Sequence, residues 1–255
     1  MQRKQQIIQG NILSYLDNEK KELPVLLFLH GWGCQADTFQ SMFPYFSPES
    51  FRIISIDFPG FGQSNLPKNG LNIDQYKEIL IQFLDKLKIQ KVHCITHSFG
   101  GRVAIALAEK NSEYVQSLTL INNGGIKNTS LKVKIISLLA KIGKKLSLHK
   151  CKELFYKLFI NETDALAVQN NPDLKKTFQN IVNEDLQDRA KNIHCPSLIL
   201  WGEKDESTPL WHGETWHKLI SKSQFFTHPG DHFFFLKDPQ WTSQKILDFI
   251  QSTNS

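Results

Sequence analysis

One stretch limits what this chain can fold into more than any other. Lys91 to Gly101 reads K-V-H-C-I-T-H-S-F-G-G. Val92 to Thr96 has the length and composition of a short buried strand. It stops at His97-Ser98-Phe99-Gly100-Gly101, and the Ala-rich, Gly-poor segment Arg102 to Lys110 that follows reads as a helix. A serine therefore stands at the apex of a strand-to-helix turn. Such a turn is sharp and needs small neighbours, which Gly100 and Gly101 supply on the helix side. The apex side chain is exposed, and the helix that starts beneath it points backbone N–H groups at whatever that side chain attacks. Alone, the stretch is equally consistent with an ordinary strand–loop–helix connection, so the rest of the chain has to decide.

Strands and helices alternate on both sides of it. Two short strands are expected around Ile7-Ile8 and Ile12 to Leu16, joined at Gly10-Asn11. Leu23 to Leu29 (L-P-V-L-L-F-L) is a continuous apolar run, the mark of a strand buried on both faces, and it ends at His30-Gly31-Trp32-Gly33. A helix is expected over residues 36–46. Phe51 to Ile56 is the next buried strand, ending in the turn-rich D-F-P-G-F-G-Q-S at residues 57–64. From Ile73 to Leu87 the apolar residues fall at three-and-four spacing, with Asp74 in the first turn, which predicts an amphipathic helix. Val115 to Ile121 reads as a strand ending in Asn122-Asn123-Gly124-Gly125.

The alternation then stops. Residues 126–192 hold no strand-like run and read as helices at about 130–146 and 149–160, with shorter ones up to Arg189. It resumes with a strand at Ser197 to Trp201, a helix near 208–220, a strand at 223–228 and a helix at 238–251. The expected fold is α/β, a mostly parallel central sheet with flanking helices. Residues 1–125 and 193–255 form its core, and 126–192 are inserted as a helical cap.

Composition narrows the setting. With 255 residues, 40% of them hydrophobic, the chain can bury a core without metals or disulfides. Cys34, Cys94, Cys151 and Cys195 are isolated, with no C-x-x-C pair, and read as free thiols of a reducing compartment. The opening M-Q-R-K-Q-Q-I-I-Q-G leads into no long apolar run, so no signal peptide is expected and a cytoplasmic location is. The apolar runs are too short to span a bilayer, and a net charge of +5 does not point to nucleic acid. No feature fixes an oligomeric state.

A serine hydroxyl attacks poorly at neutral pH unless a base takes its proton and a carboxylate orients that base. In a parallel sheet the reacting groups sit beyond the carboxyl ends of the strands. After the strand at 197–201 comes Gly202-Glu203-Lys204-Asp205, and after the strand at 223–228 comes Pro229-Gly230-Asp231-His232. Ser98, Asp205 and His232 are thus candidates for nucleophile, orienting acid and general base, with Glu203 and His228 as nearby competitors. His97 lies too close in sequence to Ser98 to serve it easily as base. His212 and His217 are five apart, not the four that shared metal ligation prefers, and no metal or cofactor is expected. An oxyanion needs two preorganised donors. Phe99, after the nucleophile, offers one N–H, and Trp32 in the loop after the Leu23–Leu29 strand offers the other.

Taken in order, H-G-W-G, D-F-P-G-F-G-Q-S, H-S-F-G-G, W-G-E-K-D-E-S-T-P and P-G-D-H-F resemble the α/β-hydrolase superfamily, in particular its members with a helical cap. The resemblance covers nearly the whole chain outside the insertion. It implies cofactor-free hydrolysis of a small-molecule ester, thioester, amide or carbon–carbon bond, and a non-catalytic ligand-binding protein on the same scaffold is the alternative. Two positions depart from the pattern: Thr96 stands for the first Gly of the elbow, and Asp231 for the Gly before the histidine. Asp231 is expected to add negative charge beside His232. Between Lys127 and Lys157 run nine lysines and one acid, Glu153, interleaved with apolar residues. Such a segment covers a pocket with solvated lysines, or lies on an anionic membrane. The expected substrate is a medium-length acyl ester or a similar small apolar substrate, bounded by cap residues and the rings of Trp32 and Phe99.

Overall fold

A computed structural model describes residues 1–127 and 171–253. Eight strands form one sheet: β1 (Gln2–Ile8), β2 (Asn11–Asp17), β3 (Val25–Leu29), β4 (Arg52–Ile56), β5 (Val92–His97), β6 (Val115–Ile121), β7 (Ser197–Gly202) and β8 (Ser223–His228). Their order is β1-β2-β4-β3-β5-β6-β7-β8. The first two join antiparallel, and β4, β3, β5, β6, β7 and β8 run parallel. The sheet is therefore the mostly parallel one expected. β1 starts earlier than its apolar residues suggest, because its first residues pair fully with β2.

The apolar runs are buried on both faces for the reason they are apolar. On β3, Leu27 and Leu29 pack with helices α1 (Ile73–Lys86) and α2 (Phe99–Lys110), while Leu26 and Phe28 pack on the opposite face with Phe39, Phe46, Phe234, Phe235 and the C-terminal helix. That periodicity of two is the strand's own. Asn72 caps α1, its side-chain oxygen accepting from the Gln75 N–H at 2.9 Å while the Gln75 side chain returns a bond to the Asn72 N–H. The expected helix over 36–46 is instead two short 3-10 turns, Ala36–Phe39 and Phe43–Tyr45, interrupted before Pro44. Proline lacks the N–H that a continuing helix would need there.

Of the expected cap, residues 171–192 are described, and they carry helices and no strand: α3 (Pro172–Val182) and α4 (Gln187–Ala190). The helices expected at about 130–146 and 149–160, and the lysines from 132 to 157, lie outside the described residues. α3 begins at a capped end, Asn171 accepting from the Asp173 and Leu174 N–H groups at 3.0 Å, with Pro172 in the first turn. It docks on the core through Leu71, whose N–H donates to Thr177 Oγ1 at 2.9 Å and whose carbonyl accepts from Asn180 Nδ2 at 3.3 Å. Arg102 of α2 holds its other end, donating to the Ile181 and Glu184 carbonyls at 2.8 and 3.2 Å. Arg189 of α4 grips Asp74 of α1 with two 2.8 Å bonds, and that pairing holds the Asp74 carboxyl down to about 2. The fold closes with α5 (Leu210–Leu219), α6 (Phe234–Lys237) and α7 (Pro239–Thr253).

Candidate active site

The parallel register puts the carboxyl ends of β3, β5, β6, β7 and β8 along one edge, and each delivers part of the site there. Ser98 follows β5 directly, at φ 49° and ψ −105°. A serine has no low-energy basin there, so neighbours must hold it. The end of β6 does so: the Ser98 N–H donates to the Ile121 carbonyl at 3.1 Å, and the Ser98 carbonyl accepts from the Gly124 N–H at 3.2 Å. Gly100 faces the backbone carbonyls of Leu29 and His30, and Gly101 faces the Asn123 side chain, so a Cβ at either place would collide. Thr96, the unexpected residue of the elbow, is fully buried and turns its hydroxyl sideways to donate to the Thr119 carbonyl at 2.8 Å. The absent Cβ of Gly101 also leaves room for that hydroxyl.

Asp205 lies in the loop after β7. Its carboxylate is buried and accepts from the Ser207 and Thr208 N–H groups at 2.8 Å, with the Thr208 hydroxyl 2.7 Å from Oδ2. The same Oδ2 lies 2.7 Å from His232 Nδ1. An ionised carboxylate only accepts, so Nδ1 carries the proton and Nε2 is left as the basic nitrogen. Both competitors sit elsewhere. Glu203 accepts from the exposed Thr227 hydroxyl at 2.8 Å, and His228 stacks on Phe234 with Asp238 3.4 Å from its Nε2.

His97 is buried beside His232, with ring centroids 4.7 Å apart and its Nε2–H donating to the His232 carbonyl at 3.0 Å. Burial, and then the nearby His232 charge, push the His97 ring well below the usual histidine range. It is a neutral ring packed against His232. The charge expected from Asp231 is differently engaged: its carboxylate pairs with the Lys237 ammonium and accepts from the Phe233 N–H at 3.1 Å. Lys237 holds it below its ordinary value.

The loop after β3 is braced by His30. Its Nε2 accepts from the Phe58 N–H at 3.0 Å, so Nδ1–H donates to the Gly31 carbonyl, 2.7 Å away. Burial pushes His30 down to about 4, which keeps it neutral in that tautomer. Trp32 stands in the turn that follows, its ring packed on Phe61 (4.8 Å), Phe178 of α3 (5.1 Å) and Phe99 (5.7 Å). Phe99 opens α2, so its N–H lies at the helix start beside Ser98. Its ring packs against Trp32 and Phe61 on one side. It is 3% exposed and packs among Phe58 and Tyr76 in the core. The other aromatic partners of Trp32 are Phe61 and, from α3, Phe178.

Asn122 was not foreseen in any role beyond a turn. Its backbone stands at φ 44°, which asparagine tolerates better than most residues. Its Oδ1 accepts from the Gly202 N–H at 2.8 Å and its Nδ2 donates to the Asp231 carbonyl at 3.1 Å, joining the loops that carry Asp205 and His232. Asparagine before Asn-Gly-Gly at a strand end is a left-handed-turn signal, but the two long-range partners have no sequence signature. Among the described residues no group of three or more His, Cys, Asp or Glu is placed to hold a metal, and no helix is long and apolar enough to cross a membrane.

The model of the alpha/beta hydrolase fold family matches residues 24–239. Among curated proteins, the chain is 26% identical over 259 residues to the monoacylglycerol lipase ABHD6 of Bos taurus, covering 91% of this chain and 77% of that protein. It is 28% identical over 222 residues to a 2-hydroxy-6-oxononadienedioate/2-hydroxy-6-oxononatrienedioate hydrolase of Comamonas testosteroni, covering 77% of this chain and 76% of the other. Among solved structures, a bacterial membrane phospholipase A superposes with a TM-score of 0.81 at 19% identity, covering 100% of this chain and 87% of that one. At that identity the likeness is one of fold.

Proposed function

The chain belongs to the α/β-hydrolase family, and from that premise we propose that it is a serine hydrolase acting on a medium-length, largely apolar acyl ester. The observation that carries the reading is the 2.7 Å contact between Asp205 and His232 at the sheet edge where Ser98 is held in a strained turn. In the proposed mechanism His232 Nε2 takes the Ser98 proton as Oγ attacks the ester carbonyl. The N–H groups of Trp32 and Phe99 receive the oxyanion. The imidazolium, steadied by Asp205, gives its proton to the departing alcohol, and water then cleaves the acyl-enzyme by the same relay. The apolar reading of the substrate is supported by the Trp32–Phe61–Phe178 cluster and by a lipase among the relatives. Cys94 and Cys195 as free thiols support a cytoplasmic site of action.

The test is a p-nitrophenyl ester series. Turnover is expected to fall about a thousandfold or more in Ser98→Ala. Across the series kcat/KM is expected to rise roughly three- to fourfold per methylene, from about 0.8 kcal/mol per buried CH₂, until the pocket fills. Near-wild-type activity in Ser98→Ala overturns the assignment, and a flat profile overturns the substrate class. Because one relative is named a 2-hydroxy-6-oxononadienedioate hydrolase and carbon–carbon cleavage is the alternative reading, a vinylogous 1,5-diketone joins the panel as a second arm. A serine-reactive phosphonate that fails to label Ser98 would leave a ligand-binding role instead. Stimulation by anionic vesicles, lost on adding salt, would place the substrate on a membrane surface.

A further inference from the structure

The match to the family begins at residue 24, so β1 lies outside it. This edge strand nevertheless reaches the site. Arg3, in the middle of a run of polar residues, directs its guanidinium inward rather than to solvent. Nη1 lies 2.8 Å from Asp57 Oδ2 and 3.0 Å from Ser14 Oγ, and Nη2 pairs with Asp37.

Asp57 is the residue to which this matters. It follows β4, and its side chain is fully buried. Oδ1 accepts from the Ala36 N–H at 2.6 Å, and Oδ2 accepts from the Gln63 N–H at 3.1 Å besides Arg3. Ala36 closes the loop that carries Trp32. That loop is thus anchored at both ends on the segment after β4, through His30 to the Phe58 N–H at one end and through Ala36 to Asp57 at the other. Between the anchors the Cys34 N–H donates to the Gly31 carbonyl at 3.1 Å, folding a tight turn with Trp32 inside it. The second anchor is a buried carboxylate, and a buried carboxylate holds its place only while its charge is paired. Asp37, in the turn that begins at Ala36, is the second carboxylate on the same guanidinium. One cation therefore spans both acids that fix the far end of the loop.

We propose that Arg3 is a positioning residue for the oxyanion loop, holding the Trp32 N–H in place through Asp57 and Asp37. The proposal deepens the hydrolase reading and rests on it for its catalytic consequence. Without the guanidinium, Asp57 has an unpaired buried charge and is drawn toward water, and Ala36 moves with it. A donor that must meet a developing charge then sits off its mark. Such a loss appears in the transition state and not in the ground state, so it falls on kcat and spares KM. Lysine keeps the charge but cannot span two carboxylates and a hydroxyl at once.

The experiment compares Arg3→Met, Arg3→Lys and the neighbouring Lys4→Met, since Lys4 pairs with Glu19 near the surface. On a p-nitrophenyl ester, kcat is expected to fall at least about tenfold in Arg3→Met with KM changed less than about threefold, to recover partly in Arg3→Lys, and to stay unchanged in Lys4→Met. A second readout needs no activity: amide hydrogen exchange over residues 32–36 is expected to quicken at least about tenfold in Arg3→Met and by less in Arg3→Lys. If Arg3→Met does not fold, Arg3→Lys alone decides by the same two measurements. Unchanged exchange over 32–36, or a loss confined to KM, overturns the role of Arg3. A wild-type protein that cleaves no ester and resists the phosphonate overturns the hydrolase reading instead, and the exchange result still stands or falls by itself.

Discussion

Replacing Ser98 by glycine is expected to make the protein more stable than replacing it by alanine. Ser98 sits at φ 49° and ψ −105°, locked there by the Ile121 carbonyl and the Gly124 N–H. A non-glycine residue held in such a region stores about 1–3 kcal/mol. Alanine keeps the Cβ and hence the strain. Glycine removes it, at a cost of about 0.5–1 kcal/mol from its freer unfolded chain. At the middle of both ranges the net difference between the two variants is about 1 kcal/mol. With an unfolding entropy of about 2.1 cal/mol/K per residue, a chain of 255 residues carries roughly 0.5 kcal/mol/K, so the glycine variant should melt about 2 °C above the alanine variant. Both should be inactive, which removes activity as a confounder. Calorimetry on the two proteins under one buffer decides the matter. A glycine variant that melts at or below the alanine variant would mean that the turn stores no strain and that the serine is placed there without conformational cost.

Stability should fall as pH drops from about 6.5 toward 4, because burial holds His30, His93 and His212 at about 4 while the unfolded chain protonates them near 6.5. The unfolded state binds more protons in that window, so each contributes a loss of about 2 kcal/mol by pH 5, and an unchanged denaturation midpoint between pH 7.5 and 5 would contradict this. His212→Leu should flatten the dependence, since both His212 ring nitrogens are buried without a hydrogen-bond partner among the described residues. Arg102→Met should cost about 2–3 kcal/mol in urea unfolding by orphaning the Ile181 and Glu184 carbonyls, and should raise KM through α3 and its Phe178. Asp205→Asn should lower kcat by about ten-thousandfold with little change in melting, because an amide presents an N–H to Nδ1 and selects the wrong tautomer; a change in KM alone would count against it.

The sheet and the meeting of Asp205 with His232 could be anticipated because both rest on local signals. Continuous apolar runs announce strands buried on both faces, and the residues just past those runs are the ones a parallel sheet gathers at one edge. Residues 36–46 misled because their apolar spacing suits a helix while Pro44 breaks it. The depth of the Phe99 ring had no sequence signal: the first turn of α2 sets it against both Trp32 and Tyr76. Arg3 and Asn122 were missed for one reason: their partners lie 54 and 109 residues away, for Asp57 and Asp231. A long-range polar contact has no periodicity, so only the fold reveals it.

The bond pattern of Asn122 bears on how such a protein can change. Its one side chain touches the segments bearing Asp205 and His232, so their relative position is inherited as a unit. A substitution at Glu203 or Lys204 alters the rim of one loop, whereas a substitution at Asn122 releases two loops in the same stroke. Variation is therefore costly at this single amide. A mutational scan should show Asn122 as intolerant as Asp205 and His232, the two residues whose loops it joins.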